Sequence, residues 1–176
     1  MTHKFTNVLN HEELRFLDDL ILFSPYMKDE TSNSYYANTQ GAALAEADIF
    51  ANRIEQLVKS VYSHPIRFSN NFCRIYKNNS RLGVHTDRPG LDITVSLCVR
   101  KDSQGDWPLN ISNKIWHGPW NDHADHSLYL SDYVSVNLEP GDIAVCLGTR
   151  QPHWRDTLTC ADNQRNIYVF YHWSDA

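Results

Sequence analysis

The residues best equipped for chemistry in this chain are His85 and Asp87, in the segment YKNNSRLGVHTDRPG. They stand two apart beside a run of strand character, so both side chains project to one face and can share a metal ion. A lone His-x-Asp is more often a surface pair or a hydrogen-bonded turn. A second element lies in NLEPGDIAVCLGTRQPHWRD, where Pro140-Gly141-Asp142 turns the chain into an apolar strand and His153 follows that strand. A third is Arg165, twelve residues beyond His153, opening the run RNIYVFYHW. Singly, these read as a satisfied loop histidine, a solvated strand-end charge and an ordinary turn. In this order and between strands they form a specific conjunction.

The elements that must carry these residues fall into two blocks. Asn10 is placed to cap a helix, with Glu13 reaching back as in a capping box, and Leu14, Leu17, Leu20 and Ile21 form its apolar stripe. Ser24-Pro25 stops it. Lys28 to Gln40, rich in Ser, Asn, Thr and Tyr, reads as a long loop. From about Ala42 to Tyr62 the residues Phe50, Ile54, Leu57, Val58 and Val61 recur at helical spacing, ended by His64-Pro65. Beyond Pro65 the pattern becomes β-rich: Asn71 to Tyr76, Asp92 to Arg100, Trp107 to Ile111, Tyr133 to Leu138, Asp142 to Leu147, and Asn166 to Trp173. Ile93, Val95, Leu97 and Val99 alternate with Thr94, Ser96 and Cys98, and Ile143, Val145 and Leu147 repeat the arrangement. Helices followed by strands predict an α+β domain whose helices cover one face of a β-sandwich or jelly roll. At 176 residues, one domain is expected, with helical support over 10–64 and the jelly-roll core over 66–174.

From about Phe72 to Trp173 the chain resembles the 2-oxoglutarate and Fe(II)-dependent dioxygenase superfamily, in particular its prolyl-4-hydroxylase-like branch. The resemblance implies a double-stranded β-helix, with the metal motif on His85, Asp87 and His153. It implies that Arg165 anchors the distal carboxylate of 2-oxoglutarate and that Tyr76, nine residues before His85, contacts this co-substrate. Arg155 and Arg150 are the alternatives for the anchor, because Arg165 lies somewhat far from His153 for the family. The spacing of 66 residues between Asp87 and His153 accommodates a Trp- and His-rich insertion. Two imidazoles and one carboxylate on one face of Fe(II) leave three coordination positions open, as such oxygenases require. The implied activity is hydroxylation of a C–H bond in a small molecule, an amino acid or a peptidyl side chain, consuming 2-oxoglutarate and O2 and releasing succinate and CO2. With aspartate at position 87, no site is vacated for halide.

Two other readings share the motif. A nucleic-acid demethylase of the superfamily would carry a second arginine six residues after the first, where this chain has Tyr171. A cupin-like metal-binding module would need no 2-oxoglutarate. A formal net charge of −5 argues against nucleic acid and anionic membranes. Arg67, Arg74, Lys77, Arg81 and Arg88 nonetheless surround the expected entrance and suit an anionic small molecule. His117, His123 and His126 read as part of a polar insertion more readily than as a second metal site, and Trp107, Trp116, Trp120 and Tyr129 serve either a substrate pocket or the core. The Tyr35-Tyr36 segment is a candidate cover for the entrance. Cys73, Cys98, Cys146 and Cys160 have no CxxC spacing and are expected as reduced thiols. No apolar run is long enough to cross a bilayer and the start lacks a secretory pattern, so a cytoplasmic location is expected.

Overall fold

In chain order the elements are β1 (Thr2–Phe5), α1 (His11–Phe23), β2 (Lys28–Asp29), β3 (Tyr36–Ala42), a 3-10 segment (Ala45–Phe50) running into α2 (Ala51–Val61), β4 (Ile66–His85), β5 (Ile93–Lys101), β6 (Leu109–Ser112), β7 (Tyr133–Val136), β8 (Ile143–Leu147), β9 (His153–Arg155) and β10 (Asn166–Asp175), with a short 3-10 turn at Ser127–Tyr129. They belong to a computed structural model that describes residues 1–33, 35–121 and 124–176.

All pairings are antiparallel, in the order β1-β8-β5-β10-β4-β9-β6-β7, with β3 on β4 and β2 on β3. Strand β4 belongs to both halves. Its first part, Ile66 to Tyr76, pairs with β10, whereas Leu82 and His85 pair with β9. The change of partner spans Asn79, whose φ of 64° is left-handed, a conformation asparagine tolerates better than most residues. The sheet therefore folds on itself into a near-barrel, the double-stranded β-helix the resemblance implied.

Strand alternation divides the interior in two. Ile93, Val95, Leu97, Ile143, Val145, Ile167, Val169, Tyr171 and Trp173 pack outward against Leu17 and Ile21 of α1 and Ile54 and Val58 of α2. Each of these helix side chains is fully buried, stabilising the fold by roughly 1.5–3 kcal/mol apiece. The opposite parity, including Tyr76, Cys98, Ala144, Cys146, Tyr168 and Phe170, faces the space between the sheet halves together with Trp107, Leu109 and Ile111. The helix start is as expected: Asn10 Oδ1 accepts from the Glu12 and Glu13 amides, and Glu13 accepts from the Asn10 amide. The Pro140-Gly141-Asp142 turn is also present, with Gly141 at φ 95°. Asp142 accepts from the Asn7 and Glu139 amides and pairs with Lys4 at 2.8 Å, fastening β1 to the barrel.

Two expectations need correction. Lys28 to Gln40 is not a plain loop, because it contains β2 and most of β3, which extend the sheet beyond β4. The helix expected from Ala42 begins as 3-10 structure and becomes α-helical only at Ala51. All four cysteines are free thiols; burial pushes Cys73 and Cys98 up to about 12. No helix among the described residues is long and apolar enough to cross a membrane.

Candidate metal centre and active site

His85 is the last residue of β4 and His153 the first of β9, and the two stand opposite each other in the ladder. Each ring is oriented through Nδ1, which donates to a backbone carbonyl: Gly83 O at 2.9 Å for His85 and Gln151 O at 2.8 Å for His153. Carbonyls only accept, so the proton is on Nδ1 and the lone pair on Nε2, the tautomer that suits a metal ligand. Asp87 follows on the loop after β4, its amide donating to Gly148 O at 2.9 Å. Its Oδ1 lies 3.7 Å from His85 Nε2 and 3.9 Å from His153 Nε2. The three ligand atoms lie within 4.8 Å of one another, the one such group of His, Cys, Asp or Glu among the described residues.

The electrostatics favour that use. Burial, with the neighbouring His153, holds His85 down to about 3, leaving its imidazole neutral. Burial would raise Asp87, but His153, His85 and His172, with the Thr94 hydrogen bond, outweigh it and keep the carboxyl below its ordinary range. A neutral imidazole and an ionised carboxylate are the forms that bind a divalent cation.

The triad opens into a cavity of about 370 Å³ whose walls include Glu30, Tyr36, Arg74, Trp120, Phe170 and His172. Tyr35, named above as a candidate cover, stacks on the His85 ring at 5.1 Å and 9°. Arg74 is held by Glu30 through Nε at 2.7 Å and Nη2 at 2.9 Å, with its guanidinium over Tyr36 and Phe72. A second cavity of about 360 Å³ shares Asp87 and Trp120 with the first and reaches His117, Trp116 and Arg150.

The other expected site residues are distributed differently. Arg165 immediately precedes β10, on the parity of Ile167 and Val169, the helix-facing side; its amide donates to Asp102 Oδ2, and, like Tyr76 and Arg155, it is not among the residues lining the triad's cavity. Tyr76 is fully buried in the apolar cluster between the sheet halves, in edge contact with Trp107 and Tyr168. Beside it is Arg155, two residues after His153 and therefore on the same face of β9. The Arg155 guanidinium packs 4.1 Å from the centre of Tyr168 and 4.8 Å from that of Trp107, and Nη1 donates to Trp107 O. Its Nε and Nη2, like the Tyr76 hydroxyl, are buried without a hydrogen-bond partner.

In the insertion, His126 is buried against Trp116 and Tyr129, His117 is exposed, and His123 lies outside the described residues. The sequence pattern does not single out Glu30, Gly148 or His172, and marks Thr94 only by its strand parity. For His172 a signal existed: it shares the inward parity of Tyr168 and Phe170. Its Nδ1 contacts Asn70 Oδ1, turning Nε2 away from that partner.

No protein-family model matches the chain, and no curated protein matches it in sequence. Solved structures do match. HygX from Streptomyces hygroscopicus, with nickel and 2-oxoglutarate bound, superposes with a TM-score of 0.67 at 10% identity, over 99% of this chain and 83% of its own. SnoN, a non-heme alpha-ketoglutarate-dependent epimerase from nogalamycin biosynthesis, gives 0.77 at 14% identity over 99% and 76%. A prolyl-4-hydroxylase from Pseudomonas putida gives 0.69 at 13% over 99% and 92%. At such identities the likeness establishes architecture: this chain has the fold of the 2-oxoglutarate-dependent non-heme oxygenases. That fold serves hydroxylase, epimerase and, in SnoK, carbocyclase alike, so it does not select a branch.

Proposed function

We propose that this protein is a 2-oxoglutarate- and Fe(II)-dependent dioxygenase that hydroxylates a C–H bond of a small molecule, an amino acid or a peptidyl side chain. The observation that carries the reading is the convergence of His85 Nε2, His153 Nε2 and Asp87 Oδ1 at one end of a cavity. Such a set holds iron by one face and leaves positions for a keto acid and O2. When bound, iron and 2-oxoglutarate supply the oxidising chemistry, with succinate and CO2 as by-products.

The residues present fit a five-carbon dicarboxylate. The unpartnered Tyr76 hydroxyl, Arg155 Nε and Arg155 Nη2 are buried donors for one more anionic group in the interior between the sheet halves. Two residues of strand separate Arg155 from His153, an advance of about 6.6 Å, which is the scale of that molecule. Arg74 is less suited because Glu30 already occupies two of its donors. We therefore assign the distal carboxylate to Arg155 and Tyr76, with Arg165 outside the contact. Phe72, Phe170 and Leu82 line the cavity with the triad and limit water, and the second cavity, which shares Asp87 and Trp120 with the first, is the space we assign to the molecule to be oxidised. A nucleic-acid substrate is disfavoured, because Tyr171 is buried and donates to Ala47 O instead of facing the cavity.

The test is anaerobic titration of apoprotein with Fe(II) and then 2-oxoglutarate, following the visible charge-transfer band of chelated keto acid. The band is expected in wild type and absent in His153→Ala. Iron binding without a band would refute the co-substrate and leave a cupin-like metal module. Product analysis after substrate screening then distinguishes hydroxylation from epimerisation.

A further inference from the structure

We propose that Thr94 and Gly148 form a clamp that presents Asp87 to the metal through a single oxygen and so keeps a coordination position open. The inference rests on the metal reading above and extends it to two residues without ligand atoms of their own in the triad.

Asp87 is held at three points. Its amide donates to Gly148 O at 2.9 Å, and its Oδ2 accepts a close hydrogen bond from Thr94 Oγ1. The third point is a bare surface: a Cβ on Gly148 would overlap Asp87 Oδ2, Thr94 Oγ1 and the Leu91 carbonyl oxygen together. Gly148 has no left-handed φ, so its backbone would accept alanine, and glycine is needed there only for space. Gly148 is itself anchored, its amide donating to Asp92 O at 2.9 Å.

The clamp stands on the rigid part of the fold. Thr94 lies near the start of β5 on its inward parity, paired with Cys146 of β8 on one side and His172 of β10 on the other. Gly148 directly follows β8. The carboxylate is thus tied by Oδ2 to the large half of the sheet, while Oδ1 faces the two imidazoles from the small half. A carboxylate free to turn would offer both oxygens to one cation and fill a position that a co-substrate needs. Thr94 prevents that turn by occupying Oδ2, and Gly148 makes the arrangement sterically possible. Both are positioning residues.

Three variants test this: Thr94→Val, which keeps the shape and removes the donor, Thr94→Ser, which restores the donor, and Gly148→Ala. Apoprotein is titrated with Co(II), and the affinity and the visible d–d spectrum are recorded. Nitric oxide then probes the remaining position of the Fe(II)–2-oxoglutarate protein. Thr94→Val should bind Co(II) about 10–100-fold more weakly, the range for removing a partner of a metal ligand. Its d–d spectrum should report a changed coordination number, and its nitric oxide binding should fall. Thr94→Ser should recover all three, and Gly148→Ala should lose Co(II) while still unfolding cooperatively. A Thr94→Val protein with wild-type affinity, spectrum and nitric oxide binding overturns the clamp, as does a loss that Thr94→Ser fails to reverse. If wild type binds Co(II) but shows no keto-acid band, the co-substrate reading fails separately, and the Co(II) comparison still decides on the clamp.

Discussion

Replacing Arg155 with methionine should separate two properties that usually fall together. The guanidinium has two buried donors without partners, and leaving such donors unmet costs about 1–3 kcal/mol each. Methionine relieves that cost. It also removes the bond from Nη1 to Trp107 O and the packing of the cation on Tyr168 and Trp107, together worth a similar few kcal/mol. The apoprotein should therefore keep its stability to within about 2 kcal/mol, as when a buried charge is exchanged for an apolar side chain of similar size. Binding of 2-oxoglutarate should suffer far more. Two hydrogen bonds from a charged donor at about 1.5–3 kcal/mol each amount to roughly 10²- to 10⁴-fold in affinity. Isothermal titration of the anaerobic Fe(II) protein measures this, with thermal melts of the apoprotein alongside. Arg165→Met, at a half-exposed strand end, should shift affinity by no more than about threefold. The reasoning is refuted if Arg155→Met binds the keto acid like wild type, or if Arg165→Met loses as much.

Other outcomes follow from the core and from the titrating groups. Ile54→Ala, at a fully buried site between α2 and the sheet, should destabilise the protein by about 2–5 kcal/mol in urea unfolding; a loss under about 1 kcal/mol would contradict the packing described. A thiol reagent applied to native protein should modify Cys160, which is only half-buried, well before Cys73, Cys98 or Cys146; rapid labelling of all four would contradict the fold. Because burial holds His85 at about 3, against 6.5 when free, the unfolded apoprotein takes up a proton between those values that the folded one refuses. This contribution is fully present above pH 6.5 and is lost as pH falls towards 3, so melting temperature should drop on acidification, and less steeply in His85→Gln. An equal slope in both proteins would refute it.

Much of this was legible because burial imposes a period. The alternation of Ile93 to Val99 and of Ile143 to Leu147 gave strands with the correct faces outward, and Asn10 with Glu13 gave the helix start. Legibility failed where strands are short or polar. Strand β9 is three residues, His-Trp-Arg, with no apolar repeat, so nothing in the sequence marks it as the strand that sets Arg155 on the face of His153. Strand β3 has one buried residue, Thr39, and a left-handed Asn38 at its register shift, which together erase the period. Strand β4 runs through the polar Asn78-Asn79-Ser80 that would ordinarily end one. Glu30 and Arg74 are 44 residues apart, and nothing local announces their pairing.

The sheet order also bears on how the protein comes into being. Strand β10 lies between β4 and β5, and β1 pairs with β8 more than 130 residues away. During synthesis, β4 and β5 emerge with nothing between them, and the larger sheet has no middle until residues 166–175 have been made. His153 likewise joins β4 only late. Such non-local pairing folds slowly, in milliseconds to seconds for comparable all-β topologies. The nascent chain exposes unpaired strand edges throughout that interval. His85, Asp87 and His153 come together only when β9 has paired with the end of β4, so the cluster is a property of the closed fold and not of any local segment.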